Sequence, residues 1–325
     1  MEKVGENLYR ISLPVQLPTP NEVFVYLIRG IKGNILVDTG WNSDETLEEL
    51  VRDLEENDIQ LSSIKKIVLT HLHVDHFGLA LRIRKLTGAP LLVHEKELLV
   101  FKMFEKLPFE KWLRSNGFPT NELTELVTML DWIRSIIPEN FDQFIKEGEN
   151  ISSSGEEINV IYTPGHTPGN ICLYNKKQRL LISGDHVLRN ITPNILYYPF
   201  IDNYNPLGDY LHSLKTISKL DVRTVLPSHG PIFTDVKTRI KEVEDHHEIR
   251  LNEVINASSN GPKTAQKIAT EISWSPGQWK NLFLFDKFLA VMETISHLEF
   301  LKSNGKITRI NQEHELKYVS SSKSG

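Results

Sequence analysis

Thr70-His71-Leu72-His73-Val74-Asp75-His76 directly follows the apolar run Ile64 to Leu69. That run is short and rich in β-branched residues, so it reads as a buried strand. The polar segment therefore begins where a strand ends. In extended chain, residues two apart project to the same side, so His71, His73 and Asp75 converge on one point. His76 follows where the chain begins to coil and projects elsewhere, toward a second ion. Three of the twelve histidines of the chain fall within these few positions, together with an aspartate. A solvated polar loop is the bland alternative, and it is set aside because three more motifs agree with a metal site.

Those motifs are Pro164-Gly165-His166-Thr167-Pro168-Gly169, Ser183-Gly184-Asp185-His186 and Pro227-Ser228-His229-Gly230. Each lies just after a predicted strand. A lone histidine at a strand end is usually structural. Four motifs at four strand ends imply a shared rim along one sheet edge. Imidazole and carboxylate donors suit Zn²⁺, and also iron or manganese, so the donor set alone leaves the metal open.

Outward from this rim, strands are expected at Leu8 to Leu13, Val23 to Ile28, Asn34 to Val37, Pro90 to Val93, Ile158 to Tyr162, Ile171 to Tyr174, Leu180 to Ser183 and Thr224 to Leu226. Helices are expected at Glu45 to Leu54, capped by Ser43 or Asp44, at Phe77 to Leu86, at Pro206 to Leu220 and from Val236 to Asn256. Strands alternating with helices mean α/β layers. Between Glu95 and Glu147 the spacing turns helical and is rich in Phe, Met and Trp, broken at Pro108, Pro119 and Pro138. This stretch reads as a helical insertion, either extra core or a wall beside a site. From 256 the composition changes again. Thr264 caps a helix through Ile272, Phe285 to Leu301 forms a second, and Ser303-Asn304-Gly305-Lys306 turns into a strand at Ile307 to Ile310. That order is a winged-helix layout. Ser320 to Gly325 is low in complexity.

The set of motifs resembles the metallo-β-lactamase superfamily, whose pattern is H-x-H-x-D-H, then His, Asp and His. All seven positions are matched over residues 1–255. The resemblance implies an αββα sandwich, with His71, His73 and His166 on one ion, Asp75, His76 and His229 on a second, and Asp185 bridging both. It further implies a hydrolase in which a metal-bridging hydroxide attacks an ester, thioester or lactone carbonyl, with Asp75 orienting it and taking a proton. Val37-Asp38-Thr39-Gly40 also matches the family, with Asp38 beneath the ligands; a turn cap is the plainer role. Tyr197 and Tyr198 are candidates to line the pocket or donate to a leaving oxygen, with ring packing as the alternative. A cysteine ligand, as in the best-known dizinc lactamases, is missing: Cys172 lies in no motif. Only 43 residues separate Asp185 from His229, which excludes the nucleases carrying a large insertion there.

The chain thus divides into a catalytic domain at 1–255 with its insertion at about 95–147, a winged-helix domain at 256–318, and a disordered tail at 319–325. The domain layout resembles a subgroup that joins this fold to a lactamase-associated winged helix, among them an endoribonuclease. A phosphodiesterase or endoribonuclease acting on single-stranded RNA with the same metals is therefore the second reading. A regulatory nucleic-acid binder with structural metals is the third. In the RNA reading Lys302, Lys306 and Arg309 lie near phosphates. The charge arithmetic weighs against it. Residues 256–325 carry nine Lys or Arg against six Asp or Glu, while the 325-residue chain has a net charge of −5. A dedicated binder would show a basic stripe. A small-molecule substrate is the leading expectation, and a homo-oligomer is one role open to the C-terminal module.

Composition bounds the rest. With 40% hydrophobic and 24% charged residues the chain is globular rather than disordered. A single cysteine permits no intrachain disulfide. No secretory layout and no membrane-length apolar stretch is seen, so a cytoplasmic protein without a membrane partner is expected.

Overall fold

Every residue from Val23 to Ile28 is apolar, a pattern that is stable only when both faces of a strand are covered. The computed structural model, which describes residues 1–16, 21–104, 106–138, 140–151, 157–275 and 277–321, meets that demand with two packed sheets. In the first, β1 (Glu2–Lys3), β2 (Leu8–Pro14), β3 (Glu22–Ile28) and β4 (Asn34–Val37) run antiparallel in sequence order. β5 (Ile64–Val68), β6 (Leu91–His94) and β7 (Gln143–Ile145) extend it in parallel. The second sheet holds β8 (Ile158–Tyr162), β9 (Ile171–Asn175), β10 (Leu180–Gly184) and β11 (Thr224–Pro227), in the order β11-β10-β9-β8. Tyr26, Ile35, Val37 and Val68 of the first sheet meet Val160, Leu173, Ile182 and Leu226 of the second in one core.

Helices α1 (Asp44–Glu55) and α3 (Ala80–Thr87) pack against the first sheet. Ser43 caps α1 by accepting from the Thr46 N–H, as expected from the sequence. The single helix expected over Phe77 to Leu86 is two. The short α2 (Val74–Phe77) ends at Gly78 before α3 begins. A Cβ on Gly78 would lie 2.6 Å from the Gly40 carbonyl, the Asn42 nitrogen and the Val74 carbonyl, so only glycine lets these backbones meet.

The described residues divide into two compact units. Met1–Leu98, Ile136–Pro193 and Ser213–Arg239 form the first; Leu99–Ser135, Asn194–His212 and Ile240–Gly325 form the second. The insertion is helical through α4 (Lys106–Ser115) and α5 (Thr120–Ile136), but its expected end is not. Residues 143–145 form β7 because Leu92 to His94 offer a free parallel edge, and the Asp142 carboxylate accepts from Leu91 N–H to start the pairing.

In the second unit the insertion packs on C-terminal elements. These are β12 (Lys263–Thr264), α8 (Ala265–Ala269), α9 (Leu284–Ser303), β13 (Ile307–Gln312) and β14 (Glu315–Ser320), which follow the long helices α6 (Pro206–Ser218) and α7 (Val236–Ala257) in the chain. Phe109 and Phe118 set their rings edge-on to Phe288, with centroids 6.3 and 6.5 Å away. Burying a ring such as Phe288 contributes about 2–3 kcal/mol. The Gln266 N–H donates to the Asn116 carbonyl at 3.1 Å. Thr264 caps α8 as expected, by accepting from the Lys267 N–H, but the helix stops at Ala269 rather than Ile272. The three strands pair in the order β12-β14-β13. The tail expected to be disordered from 319 starts in order, because Val319 pairs with Thr308 and Ser320 with Ile307. Residues 322–325 lie outside the described residues. Among the described residues no helix is long and apolar enough to cross a membrane.

Two histidines of the second unit give a pH dependence. His247 Nδ1–H points to His297 Nε2 at 3.2 Å, and His297 Nδ1–H donates to the Glu293 carbonyl at 2.8 Å, a chain that suits two neutral rings. Burial pushes His297 down to about 3 and His247 well below its ordinary value. The unfolded chain binds protons at these rings below about pH 6.5 while the folded chain does not, so their contribution to stability falls as pH drops from 6.5 toward 3, against the opposite contribution of the Glu293 carboxyl, which burial raises to about 7. At pH 5 the loss from His297 should be about 2 kcal/mol relative to pH 7.5. Urea unfolding of wild type and His297→Leu at the two pH values checks it, and the variant should lose less stability on going from pH 7.5 to pH 5 than wild type does. An unchanged slope in that variant would refute the assignment.

Candidate metal centre

The parallel pairs bring strand ends together. Val37 lies beside Val68, and Gly184 beside Pro227, so the chain leaves β4, β5, β10 and β11 on one rim. Backbone bonds lock the rim across the two sheets. The Ile171 N–H donates to the Thr70 carbonyl at 3.0 Å, and the Phe24 N–H to the Ser228 carbonyl at 2.8 Å. Tyr26 O–H donates to the Pro227 carbonyl at 2.7 Å.

All seven residues singled out by their motifs gather there, in two adjoining groups. His71, His73, His166 and Asp185 present ligand atoms within 4.8 Å of one another, and so do Asp75, His76 and His229. The extended-chain argument put Asp75 with His71 and His73, and this is corrected. His73 is extended, but α2 starts at Val74, and the helical turn swings Asp75 round to His76 and His229. Its Oδ2 lies 3.2 Å from His229 Nε2 and 3.8 Å from His76 Nε2. Asp185 faces both groups, with carboxylate oxygens 3.5 Å from His76 Nε2, 3.6 Å from His229 Nε2 and 3.7 Å from His166 Nε2.

Outer contacts decide which ring nitrogen faces inward. His76 Nδ1 meets Asp38 Oδ2 at 2.9 Å, and His229 Nδ1 meets the Glu22 carbonyl at 3.0 Å. Both acceptors hold a proton on Nδ1 and leave the Nε2 lone pair for the interior. Asp38 also accepts from the Thr70 N–H and O–H, each at 2.8 Å, and Thr70 Oγ1 lies 3.0 Å from His71 Nδ1. One carboxylate thus fixes three members of the loop. Asp38 does so from a left-handed backbone, φ +59°, at the exit of β4. It is a hub beneath the cluster rather than a turn cap.

The buried atoms fit cations. His71 Nε2, His76 Nε2 and Asp185 Oδ1 are enclosed and lack hydrogen-bond partners. Unsatisfied lone pairs in a dry site cost free energy, and a divalent cation would satisfy them together. The electrostatics agree. Burial opposes charge on His76, but Asp185, Asp75 and Asp38 outweigh it and raise its pKa well above the ordinary value. Burial likewise opposes charge on His229, and Asp185 and Asp75 raise it. Burial pushes the Asp75 carboxyl up, yet His76 and His229 overcome that and hold it at about 2. His73, by contrast, is held down to about 3 by burial and by His166. Its Nδ1 lies 3.0 Å from His166 Nε2, so these two rings converge on one point.

Tyr197 and Tyr198 belong to the second unit. Tyr197 stacks on Trp112 with centroids 6.1 Å apart, and Tyr198 is buried against Tyr204. His186 is fully buried. Sequence reasoning missed Glu97. It is fully buried, and it accepts from the backbone on both sides of the cluster. Its signal was an acid three residues beyond the end of a parallel strand, masked by its neighbours Glu95 and Lys96, which read as a solvated helix start.

Comparison with known proteins agrees with this geometry. The chain is 29% identical over 313 residues to a protein named a "probable metallo-hydrolase", YqjP, of Bacillus subtilis, covering 91% of this chain and 93% of that one. It is 24% identical over 233 residues to an atrochrysone carboxyl ACP thioesterase of Aspergillus chevalieri, covering 71% of this chain and 59% of the relative. It therefore spans only about three-fifths of that fungal protein's length. A solved metallo-beta-lactamase family protein from Thermus thermophilus superposes with a TM-score of 0.83 at 28% identity, over 98% of this chain and 100% of the other. The family model for the metallo-beta-lactamase superfamily matches residues 18–229, a span that takes in every residue of the rim. The chain belongs to the metallo-beta-lactamase superfamily and is one of its enzymes.

Proposed function

We propose that the two groups hold two divalent ions, with zinc the first choice, and that the protein hydrolyses a carbonyl ester of a small molecule, a thioester before an oxyester or lactone. The observation that carries this is Asp185, whose carboxylate stands within 3.5–3.7 Å of imidazoles from both groups. Bound there, paired ions supply Lewis acidity and a water acidic enough to react near neutral pH. The chain's own residues do the rest. His71, His73 and His166 hold one side of the site and Asp75, His76 and His229 the other. Asp38 and the Glu22 carbonyl keep the His76 and His229 rings turned inward. Asp75, ionised at neutral pH and with a side chain 14% exposed, takes up the proton released on attack.

Two observations favour an acyl substrate over RNA. A fungal relative is named an atrochrysone carboxyl ACP thioesterase. The C-terminal module, whose helices and hairpin we read as a winged helix, spends its cations internally. Arg309 and Lys302 both pair with Glu299, and Lys263 pairs with Glu271 at 2.6 Å. Two of the three cations proposed for phosphates are thereby engaged.

Elemental analysis with a paired turnover assay, on a panel of acyl thioesters and on a short single-stranded RNA, tests the proposal. Two ions per chain with thioester turnover is the expected result. RNA cleavage without thioester turnover would replace the substrate assignment. Less than one ion per chain after chelator-free purification would end the dinuclear reading.

A further inference from the structure

Glu97 sits in the turn that leaves β6, where Glu95–Phe104 forms a run of 3₁₀ helix. Its side chain has no exposure to solvent. Burying a carboxylate is costly unless its lone pairs are filled. Here they are filled from two separate loops. Oε2 accepts from the Leu72 N–H at 2.8 Å, and Leu72 lies between His71 and His73. Oε1 accepts from the Gly169 N–H at 2.6 Å and from the Thr167 hydroxyl, and these residues flank the His166 turn. A single carboxylate thus spans the two loops that carry the three histidines of the first group.

The turn that carries Glu97 is itself held to the same loop. His94 stacks on Tyr162, with centroids 4.3 Å apart and planes 12° from parallel. Lys96 lies over the same ring at 4.8 Å. The Tyr162 hydroxyl donates to the Pro168 carbonyl at 2.8 Å. Gly169 fits against the turn so closely that a Cβ there would come within 2.8 Å of Glu97 Cγ. Glu97, His94, Lys96 and Tyr162 lie outside the motifs by which the family resemblance was recognised.

We infer that Glu97 is a positioning residue that sets His71 and His73 at a fixed distance from His166, and so governs the affinity of the first ion selectively. The inference rests on the dinuclear reading above. It follows from the geometry that a neutral isostere cannot replace the carboxylate. Glutamine has one acceptor oxygen, so its amide NH₂ must face either the Leu72 N–H or the Gly169 and Thr167 donors. A donor then meets a donor in a dry site, and one loop moves away.

The test measures Zn²⁺ affinity by competition with a chelator in wild type and in Glu97→Gln, with the d–d absorption of the Co²⁺-loaded proteins and the melting of the metal-free proteins read alongside. Loss of a partner behind a metal ligand usually weakens binding roughly 10- to 100-fold. That loss is expected for one of the two ions, with the other retained within about threefold and with an altered Co²⁺ spectrum of the weakened site. Thr167→Val removes only the hydroxyl donor and is expected to weaken the same ion by a smaller factor, so it serves if Glu97→Gln fails to fold. Wild-type affinity and spectrum in a folded Glu97→Gln, or equal weakening of both ions, would overturn the positioning role while leaving the dinuclear reading intact. A wild type that binds fewer than two ions would overturn both.

Discussion

Asp185→Asn is expected to release both ions and to lower kcat/KM by roughly a thousandfold, which corresponds to about 4 kcal/mol. Asp185 is the carboxylate whose oxygens face imidazoles of both groups, at 3.5 Å from His76 and 3.7 Å from His166. Asparagine keeps the volume but brings an NH₂ toward ring nitrogens that need an acceptor or a cation, and it removes one of the site's negative charges. The loss should also be legible without metal. Burial opposes ionisation of Asp185, but His229 and His76 hold its carboxyl well below the usual range. By reciprocity, its removal must lower the pKa of both rings, which NMR titration of the metal-free variant would detect. Zinc measured per chain then gives a clear result: near zero in the variant. Retention of two ions would show that each group is sufficient by itself and that the carboxylate does not bridge them.

Asp38→Ala should act on the fold as much as on the site. Asp38 is 1% exposed and accepts from the Thr70 N–H, the Thr70 hydroxyl and His76 Nδ1. Truncation leaves three buried donors without acceptors, a loss of about 3–5 kcal/mol. It also forces alanine into a left-handed conformation, φ +59°, that aspartate tolerates better. Such a loss should lower the melting temperature by roughly 10 °C. In a variant that still folds, His76 loses the partner that points its Nε2 inward, so the second group's ion should weaken more than the first's. Calorimetry and chelator competition on the same preparation separate the two effects. A variant as stable as wild type would mean that water enters and replaces the carboxylate.

Most of the rim was legible because its signals are local. A β-branched run followed by histidines fixes a strand end, and four such ends must share an edge once strands and helices alternate. The grouping of Asp75 was not legible by alternation, because a helix starts at Val74, three residues before the expected Phe77, and each helical residue turns the side-chain direction by about 100°. β7 was hidden for a different reason. Gln143-Phe144-Ile145 is three residues long, and only the open edge of β6 makes it a strand. Glu97 escaped because a buried acid looks like a surface acid in sequence. Its burial is decided by Leu72, Thr167 and Gly169, which are 25, 70 and 72 residues away. The tail was judged by its composition, whereas its first residues are ordered by backbone pairing with Ile307 and Thr308, which composition does not register.

The makeup of the second unit has a consequence for the order of events on the ribosome. Phe109 and Phe118 rest on Phe288, and Asn116 receives the amide of Gln266, so Leu99–Ser135 is completed by residues made some 150 positions later. At roughly 5–20 residues per second, the apolar faces of α4 and α5 wait about 10 s or longer for their partners. Once Pro227 is made, the sheets of the first unit have all their strands while the insertion still lacks Gln266 and Phe288. The nascent chain is therefore most prone to aggregation after its catalytic rim has been synthesised. A stop between His229 and α9 would leave a chain that carries every proposed ligand and is a substrate for chaperones rather than a working enzyme.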